Sequence, residues 1–119
     1  MITKVNEINA FIAQHNWMDF EVKSYDGFKL IIVGSTDLMY YHLLEITFED
    51  VFWFSGFVSG WRTDTSQNVL KLADKNNVKF EIEEGYQLFE FMTEDYNNHV
   101  FVAAINMNFS TEIKKLYQE

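Results

Sequence analysis

The stretch that decides the fold is Phe20-Glu21-Val22-Lys23-Ser24-Tyr25-Asp26-Gly27-Phe28-Lys29-Leu30-Ile31-Ile32-Val33. Two runs of β-prone residues flank the pair Asp26-Gly27. An Asp-Gly pair in that setting predicts a two-residue hairpin turn of type I′, which needs a positive φ at both residues. Phe20 and Val22 would share one face of the first strand, because side chains alternate along a strand. Residues 20–33 therefore predict an antiparallel hairpin.

Further strand patterns occur near residues 42–57, 79–83, 86–93 and 99–108. Glu49-Asp50 interrupts the first of them, so residues 42–57 could form one bent strand or two paired strands. We prefer a bend at a β-bulge, because Asp50 alone makes a poor hairpin turn. Residues 59–68 have the composition of a loop, and residues 69–73 fit either a short strand or a helical turn.

Helical patterns occur at the two ends of the chain. Val5, Ile8 and Ile12 recur at helical spacing, which predicts an amphipathic helix over 3–15 with Thr3 as its N-cap. Ser110 predicts the cap of a short C-terminal helix. The sequence thus predicts an α+β fold with a single antiparallel sheet of about five to seven strands, covered by helix. The expected core is Val5, Ile8, Ile12, Phe20, Val22, Leu30, Ile32, Leu44, Ile46, Phe48, Leu88, Val100, Val102 and Ile113.

The length of the chain, 119 residues, predicts a single domain over 1–119. Aromatic residues make up 18% of the sequence, as twelve Phe, six Tyr and three Trp. Such side chains favour pleated surfaces and are also enriched in protein interfaces. The composition therefore supports a β-rich domain and leaves the role of the aromatic residues open.

The net charge of −9 argues against nucleic acids and anionic membranes as partners. Nucleic-acid binding needs clustered Lys and Arg, whereas Arg62 is the single arginine and no basic cluster occurs. The same charge opposes binding to anionic membranes and suits a basic partner or simple solubility. Cysteine is absent, which excludes disulfides and thiol chemistry and suits a cytoplasmic location. The N-terminus lacks a signal-peptide pattern, so we expect a cytoplasmic protein.

Local signatures of catalysis or metal binding are missing. The histidines, His15, His42 and His99, have no spacing that would bring two imidazoles to one ion. Neither Ser55 nor Ser59 lies in a Gly-x-Ser-x-Gly elbow, and the five glycines form no phosphate-binding loop. We therefore predict no catalytic residue, no metal site and no cofactor.

The strongest candidate for a functional site is the aromatic segment over 52–62. It contains Phe52, Trp53, Phe54, Phe57 and Trp61, followed at once by Arg62. A strand that is apolar on both faces needs cover on each side, and the sequence leaves open whether this segment is core or surface. Trp, Phe and Arg are enriched in binding hot spots. We predict Trp53, Phe57, Trp61 and Arg62 as binding residues.

Two functions fit these observations. The first is a non-catalytic, acidic protein-interaction module that binds a basic protein or a second copy of itself. Small acidic bacterial proteins that neutralise a toxin have this kind of composition, although no motif supports a family. The second is a ligand-binding or enzymatic pocket lined by aromatic residues, with His42, Glu90 or Arg62 as polar anchors.

Overall fold

A computed structural model describes residues 1–64, 68–94 and 99–116. Within these residues lie one α-helix, α1 (Ile2–Ile12), a short 3-10 helix (Lys75–Asn77) and nine β-strands. The strands are β1 (Trp17–Tyr25), β2 (Lys29–Ser35), β3 (Tyr41–His42), β4 (Leu44–Ser55), β5 (Trp61–Asp64), β6 (Leu70–Leu72), β7 (Gln87–Phe91), β8 (Val100–Ser110) and β9 (Lys114–Lys115). The α+β fold with its N-terminal helix and antiparallel sheet confirms the prediction.

Seven strands form one antiparallel sheet in the order β5-β1-β2-β4-β8-β7-β6. β3 and β9 pair separately. The sheet curls, so that its two ends meet. The Thr63 hydroxyl, next to Arg62 on β5, donates to the Met92 carbonyl (2.8 Å), and the Glu94 amide donates to the Arg62 carbonyl (3.0 Å). The curled sheet therefore has an inner and an outer face.

The predicted hairpin is present as β1 and β2, but its turn differs from the type I′ prediction. Of the two central residues, only Gly27 has a positive φ, 93°. The Asp26 carboxylate instead accepts hydrogen bonds from the amides of Phe28 (2.9 Å) and Lys29 (2.7 Å). The bonds from Lys29 and Phe28 lower the pKa of Asp26 below its ordinary value. The aspartate therefore closes the turn through its side chain.

Residues 44–55 form one strand, β4, which has the expected bend. Asp50 adopts a positive φ of 54°, and the pairing with β8 shifts between Val51 and Trp53. Before the bend, Leu44, Ile46 and Phe48 are buried in the main core, whereas after it Trp53 packs in a separate apolar cluster. Trp53 therefore lies on the outer face, opposite to Leu44, Ile46 and Phe48.

Four predictions of local structure are wrong. The C-terminal helix does not form within the described residues: 111–113 have no regular structure, and Lys114–Lys115 is strand β9. Residues 79–83 are not a strand, whereas Trp61–Asp64, expected in a loop, is the edge strand β5. The helix begins at Ile2 without a side-chain cap, so Thr3 is not its N-cap. Of the two structures that fit residues 69–73, a short strand or a helical turn, the strand is present as β6.

The main core lies between α1 and the inner face of the sheet. Twelve of the predicted core residues are buried; Val22 is half-buried, and Ile113 is 59% exposed because the helix expected to turn it inward is absent. Phe91 lies at the centre, with ring centroids 5.5 Å from Phe20 and 5.6 Å from Trp61. These contacts tie β7 to the β1–β5 end of the curled sheet.

Helix α1 also covers the free edge of β6 through one polar side chain. The buried Asn9 amide donates to the Leu70 carbonyl (2.7 Å) and accepts from the amides of Val69 (3.1 Å) and Leu70 (2.9 Å). Asn9 therefore replaces part of a neighbouring strand. Because unpaired edges invite intermolecular pairing, this contact protects the sheet.

His42 on β3 is buried, at 5% exposure. Neither ring nitrogen has a hydrogen-bond partner among the described residues. Burial lowers the pKa of His42 below its ordinary value. The surrounding charges are those of Lys23, Glu21, Glu45 and Lys114, of mixed sign. The folded state therefore favours neutral His42.

This burial predicts a pH dependence of stability. The unfolded chain takes up a proton at His42 near pH 6.5, whereas the folded chain does so only at lower pH. The contribution of neutral His42 to the free energy of unfolding should therefore be fully present above pH 6.5. Below that pH the free energy of unfolding should fall, by up to about 1.4 kcal/mol per pH unit. Urea unfolding between pH 8 and pH 5 measures this slope. In His42→Leu the slope should be smaller; an equal slope in both proteins would show that His42 does not cause it.

Candidate functional site

The outer face carries an aromatic cluster built from β4 and the segment that precedes β7. Ile82, Leu88 and Ala103 form its buried centre, and Trp53, Ala73, Val78, Tyr86 and Phe101 pack around them. Residues 78–86 therefore cover the outer face of β4 and β8. This explains how β4 can be apolar on both faces: α1 and the inner core cover one, and this segment covers the other.

Part of this cluster remains exposed to solvent. Phe52 is 51% exposed and Phe80 is 39% exposed, and their ring centroids lie 5.9 Å apart. Phe52 also contacts Tyr86 at 5.6 Å, and Phe80 contacts Trp53 at 4.8 Å. We call Phe52, Trp53, Phe80 and Tyr86 the aromatic patch. Its members contact one another, so they form one continuous apolar surface.

Acidic side chains adjoin the aromatic patch in sequence. Glu81, Glu83 and Glu84 lie between Phe80 and Tyr86, and all three are exposed. These exposed carboxylates give an acidic character to the segment that carries Phe80 and Tyr86. Such a segment is complementary to a partner that presents apolar and basic side chains.

An apolar groove of about 410 Å³ opens beside the patch. It is lined by Val22, Tyr25, Leu30, Val51, Phe52, Trp53 and Phe54. No charged residue lies among these seven. The groove therefore offers a concave apolar site that shares Phe52 and Trp53 with the aromatic patch.

The structure separates the four predicted binding residues into two places. Trp53 belongs to the aromatic patch, whereas Phe57, Trp61 and Arg62 line a different depression together with Gly60, Thr93 and Glu94. Trp61 is 7% exposed and stacks on Phe20 at 5.9 Å, so it is a core residue. A partner cannot contact it extensively without opening the core. The binding roles of the other three residues stay predictions.

Arg62 is engaged within the chain. Its guanidinium bonds Asp19 through Nε (2.7 Å) and Nη2 (3.2 Å) and lies 4.3 Å from the centroid of the Trp17 ring. These contacts align β5 on β1 and leave the guanidinium partly exposed. Binding a partner there would compete with an existing ion pair.

Sequence reasoning missed Phe80 and Tyr86. The alternation over 79–83 predicts a strand, in which Phe80 and Ile82 would share one face. In the structure Ile82 is buried and Phe80 is not. A usable signal was present: Glu83-Glu84-Gly85 is poor strand sequence between two apolar stretches. A covering loop with exposed aromatic residues fits that pattern.

No family model, curated protein or solved structure matches this chain. The interpretation of the site therefore depends on its geometry. The described residues contain no helix that is long and apolar enough to cross a membrane. Within the same part of the chain, no group of three or more potential metal-binding side chains occurs.

Proposed function

We propose that this protein is a non-catalytic interaction module whose aromatic patch binds a basic protein. The single observation that carries the proposal is the exposure of Phe52 and Phe80 within one continuous aromatic surface. Large exposed aromatic side chains are enriched at the centres of protein interfaces. A cytoplasmic location, which suits a chain without cysteine, forms part of the proposal.

The charge of the chain supports a basic partner. The net charge is −9, and the exposed residues Glu81, Glu83 and Glu84 lie between Phe80 and Tyr86 in the chain. Complementary charges at an interface border mainly accelerate association and exclude wrong partners. A basic protein would therefore be attracted to the surface where the apolar contacts form.

Both edges of the sheet are already hydrogen-bonded, which favours binding of a partner to a face of the sheet and not to an edge. Asn9 occupies the edge of β6, and the Glu94 amide bonds the edge of β5. Addition of a partner strand at either edge would first have to break these bonds. The aromatic patch needs no such rearrangement, and neither does the adjoining groove, where an apolar side chain of the partner could insert.

The proposal predicts that polar substitution of the patch abolishes capture of the partner. The variant Phe52→Ser/Phe80→Ser removes two exposed rings, so the fold should survive, as a thermal unfolding curve will show. From a lysate of the source organism, wild-type protein should capture a basic protein that the variant does not. Two hot-spot rings account for a loss of at least about tenfold in affinity.

Met39→Ser is the matched control. Met39 is 68% exposed and lies in the turn before β3, which leads to the end of β4 opposite to Phe52. The Met39→Ser variant should capture the same protein as the wild type. Equal capture by all three proteins would contradict the proposal. A wild-type dimer that the patch variant lacks in sedimentation velocity would identify a second copy as the occupant instead.

A further inference from the structure

A buried carboxylate lies on the outer face beside the aromatic cluster. The Glu90 side chain on β7 is 4% exposed. Its Oε1 lies 3.2 Å from Nζ of Lys71, the residue directly opposite on β6. Its Oε2 contacts Nδ1 of His99. An ionised carboxylate only accepts hydrogen bonds, so Nδ1–H of His99 is the donor.

These contacts fix the orientation of His99. A buried charge is costly unless it is paired and hydrogen-bonded, and both oxygens of Glu90 have such partners. Lys71 offsets the charge of the carboxylate, while the carboxylate holds the imidazole in place. The result is a fixed histidine at the start of β8, with its side chain 25% exposed.

His99 lines a groove of about 400 Å³ on the outer face. The other lining residues are Trp53, Ser55, Asn77, Val78, Lys79, Phe80 and Phe101. Trp53 lies 4.8 Å from Phe80 and 6.2 Å from Phe101, so aromatic rings form one wall. We call this site the polar groove.

The lining of the polar groove has the opposite charge balance to the whole chain. Within the described residues, its charged or titratable members, Lys79 and His99, are basic, and no Asp or Glu of that part of the chain lines it. The neighbouring Glu90 is buried and paired with Lys71. A site with aromatic walls and basic side chains is complementary to a flat ring that carries a negative group.

We propose that the polar groove binds a small aromatic carboxylate. The ring would lie against Trp53, Phe80 and Phe101, and the carboxylate would accept hydrogen bonds from Nζ of Lys79, while the oriented imidazole of His99 would line the groove beside it. Glu90 and Lys71 would act as positioning residues, since they hold the imidazole and do not line the groove. This binding does not depend on the proposed protein interaction.

Benzoate and benzamide test the proposal as a matched pair that differs in charge. In ¹H–¹⁵N spectra, benzoate should shift the indole N–H signal of Trp53 and the backbone signals near Lys79 and Phe101. These shifts should reach a plateau as the benzoate concentration rises. Benzamide should bind about tenfold more weakly, because it lacks the charge-assisted bonds. Equal binding of both compounds, shifts elsewhere in the protein, or no shift at millimolar benzoate would each overturn the proposal.

Variants locate the charge that recognises the carboxylate. Lys79→Gln should weaken benzoate binding about tenfold and leave benzamide binding unchanged. Lys75→Gln, an exposed position in the 3-10 helix outside the lining, is the control and should bind as the wild type does. Equal effects of the two variants would overturn the assignment to Lys79. Phe52→Ser should retain benzoate binding, which separates this proposal from the protein-interaction proposal.

Discussion

Replacement of Trp61 by Ala is expected to reduce the free energy of unfolding by about 3–5 kcal/mol. Trp61 is 7% exposed and contacts Phe20 and Phe91, the rings that join β1, β5 and β7. Truncation would leave a cavity where the two ends of the curled sheet meet. Since total stabilities of domains are about 5–15 kcal/mol, much of the protein's stability would be lost. Urea unfolding monitored by circular dichroism measures the change.

Two controls separate core packing from other roles of tryptophan. Trp61→Phe retains most of the ring and removes an indole N–H that has no hydrogen-bond partner among the described residues, so it should cost only about 1 kcal/mol. Trp17→Ala removes a 36% exposed ring from β1 and should also have a small effect. If Trp61→Ala unfolds like Trp17→Ala, then Trp61 is not part of the core.

Replacement of Asn9 by Ala is expected to destabilise the protein by at least about 3 kcal/mol. One side chain satisfies three backbone groups of Val69 and Leu70, and all of them lie at a buried edge. The substitution removes the partners without admitting water, and each orphaned buried group costs about 1–3 kcal/mol. Urea unfolding would measure the loss, and faster amide exchange at Leu70 would localise it to β6.

Asn6→Ala is the control for this prediction. Asn6 lies on the exposed side of the same helix, so its replacement should change stability by less than about 0.5 kcal/mol. A small effect of Asn9→Ala, together with unchanged exchange at Leu70, would show that the helix holds the edge by apolar packing alone.

The elements predicted correctly have strong local patterns. Val5, Ile8 and Ile12 mark the buried face of α1, and the runs that flank Asp26-Gly27 form the expected hairpin. The bend in β4 was expected from Asp50, which interrupts the alternation. In each case the pattern coincides with the tertiary environment, so local and global preferences agree.

The elements predicted wrongly depend on tertiary contacts. Trp61–Asp64 has loop composition but forms a strand because β1 and residues 92–94 bond it from both sides. The sequence predicts a helix capped by Ser110, whereas β8 extends to that residue and Lys114 pairs with His42. The residues that bond Trp61–Asp64 and Lys114 are distant from them in sequence, so no local pattern could reveal these two strands.

The candidate site also combines features that the local sequence predicts with features that depend on tertiary contacts. The sequence predicts binding residues in the aromatic segment over 52–62, but it could not show that Trp53 lies in the aromatic patch and Trp61 in the core. It also could not bring Phe80 and Tyr86 to Phe52, because that contact depends on residues 78–86 folding over the outer face. The aromatic patch is therefore a product of the topology.

The central claim is that the aromatic patch, and not the depression at Phe57 and Arg62, binds a basic partner. Isothermal titration calorimetry with the purified partner tests it, using Phe52→Ser/Phe80→Ser, Phe57→Ser and Arg62→Gln. We predict a loss of at least about tenfold in affinity for the patch variant and little change for the other two. Wild-type affinity in the patch variant, with a loss in Phe57→Ser or Arg62→Gln, would contradict the claim.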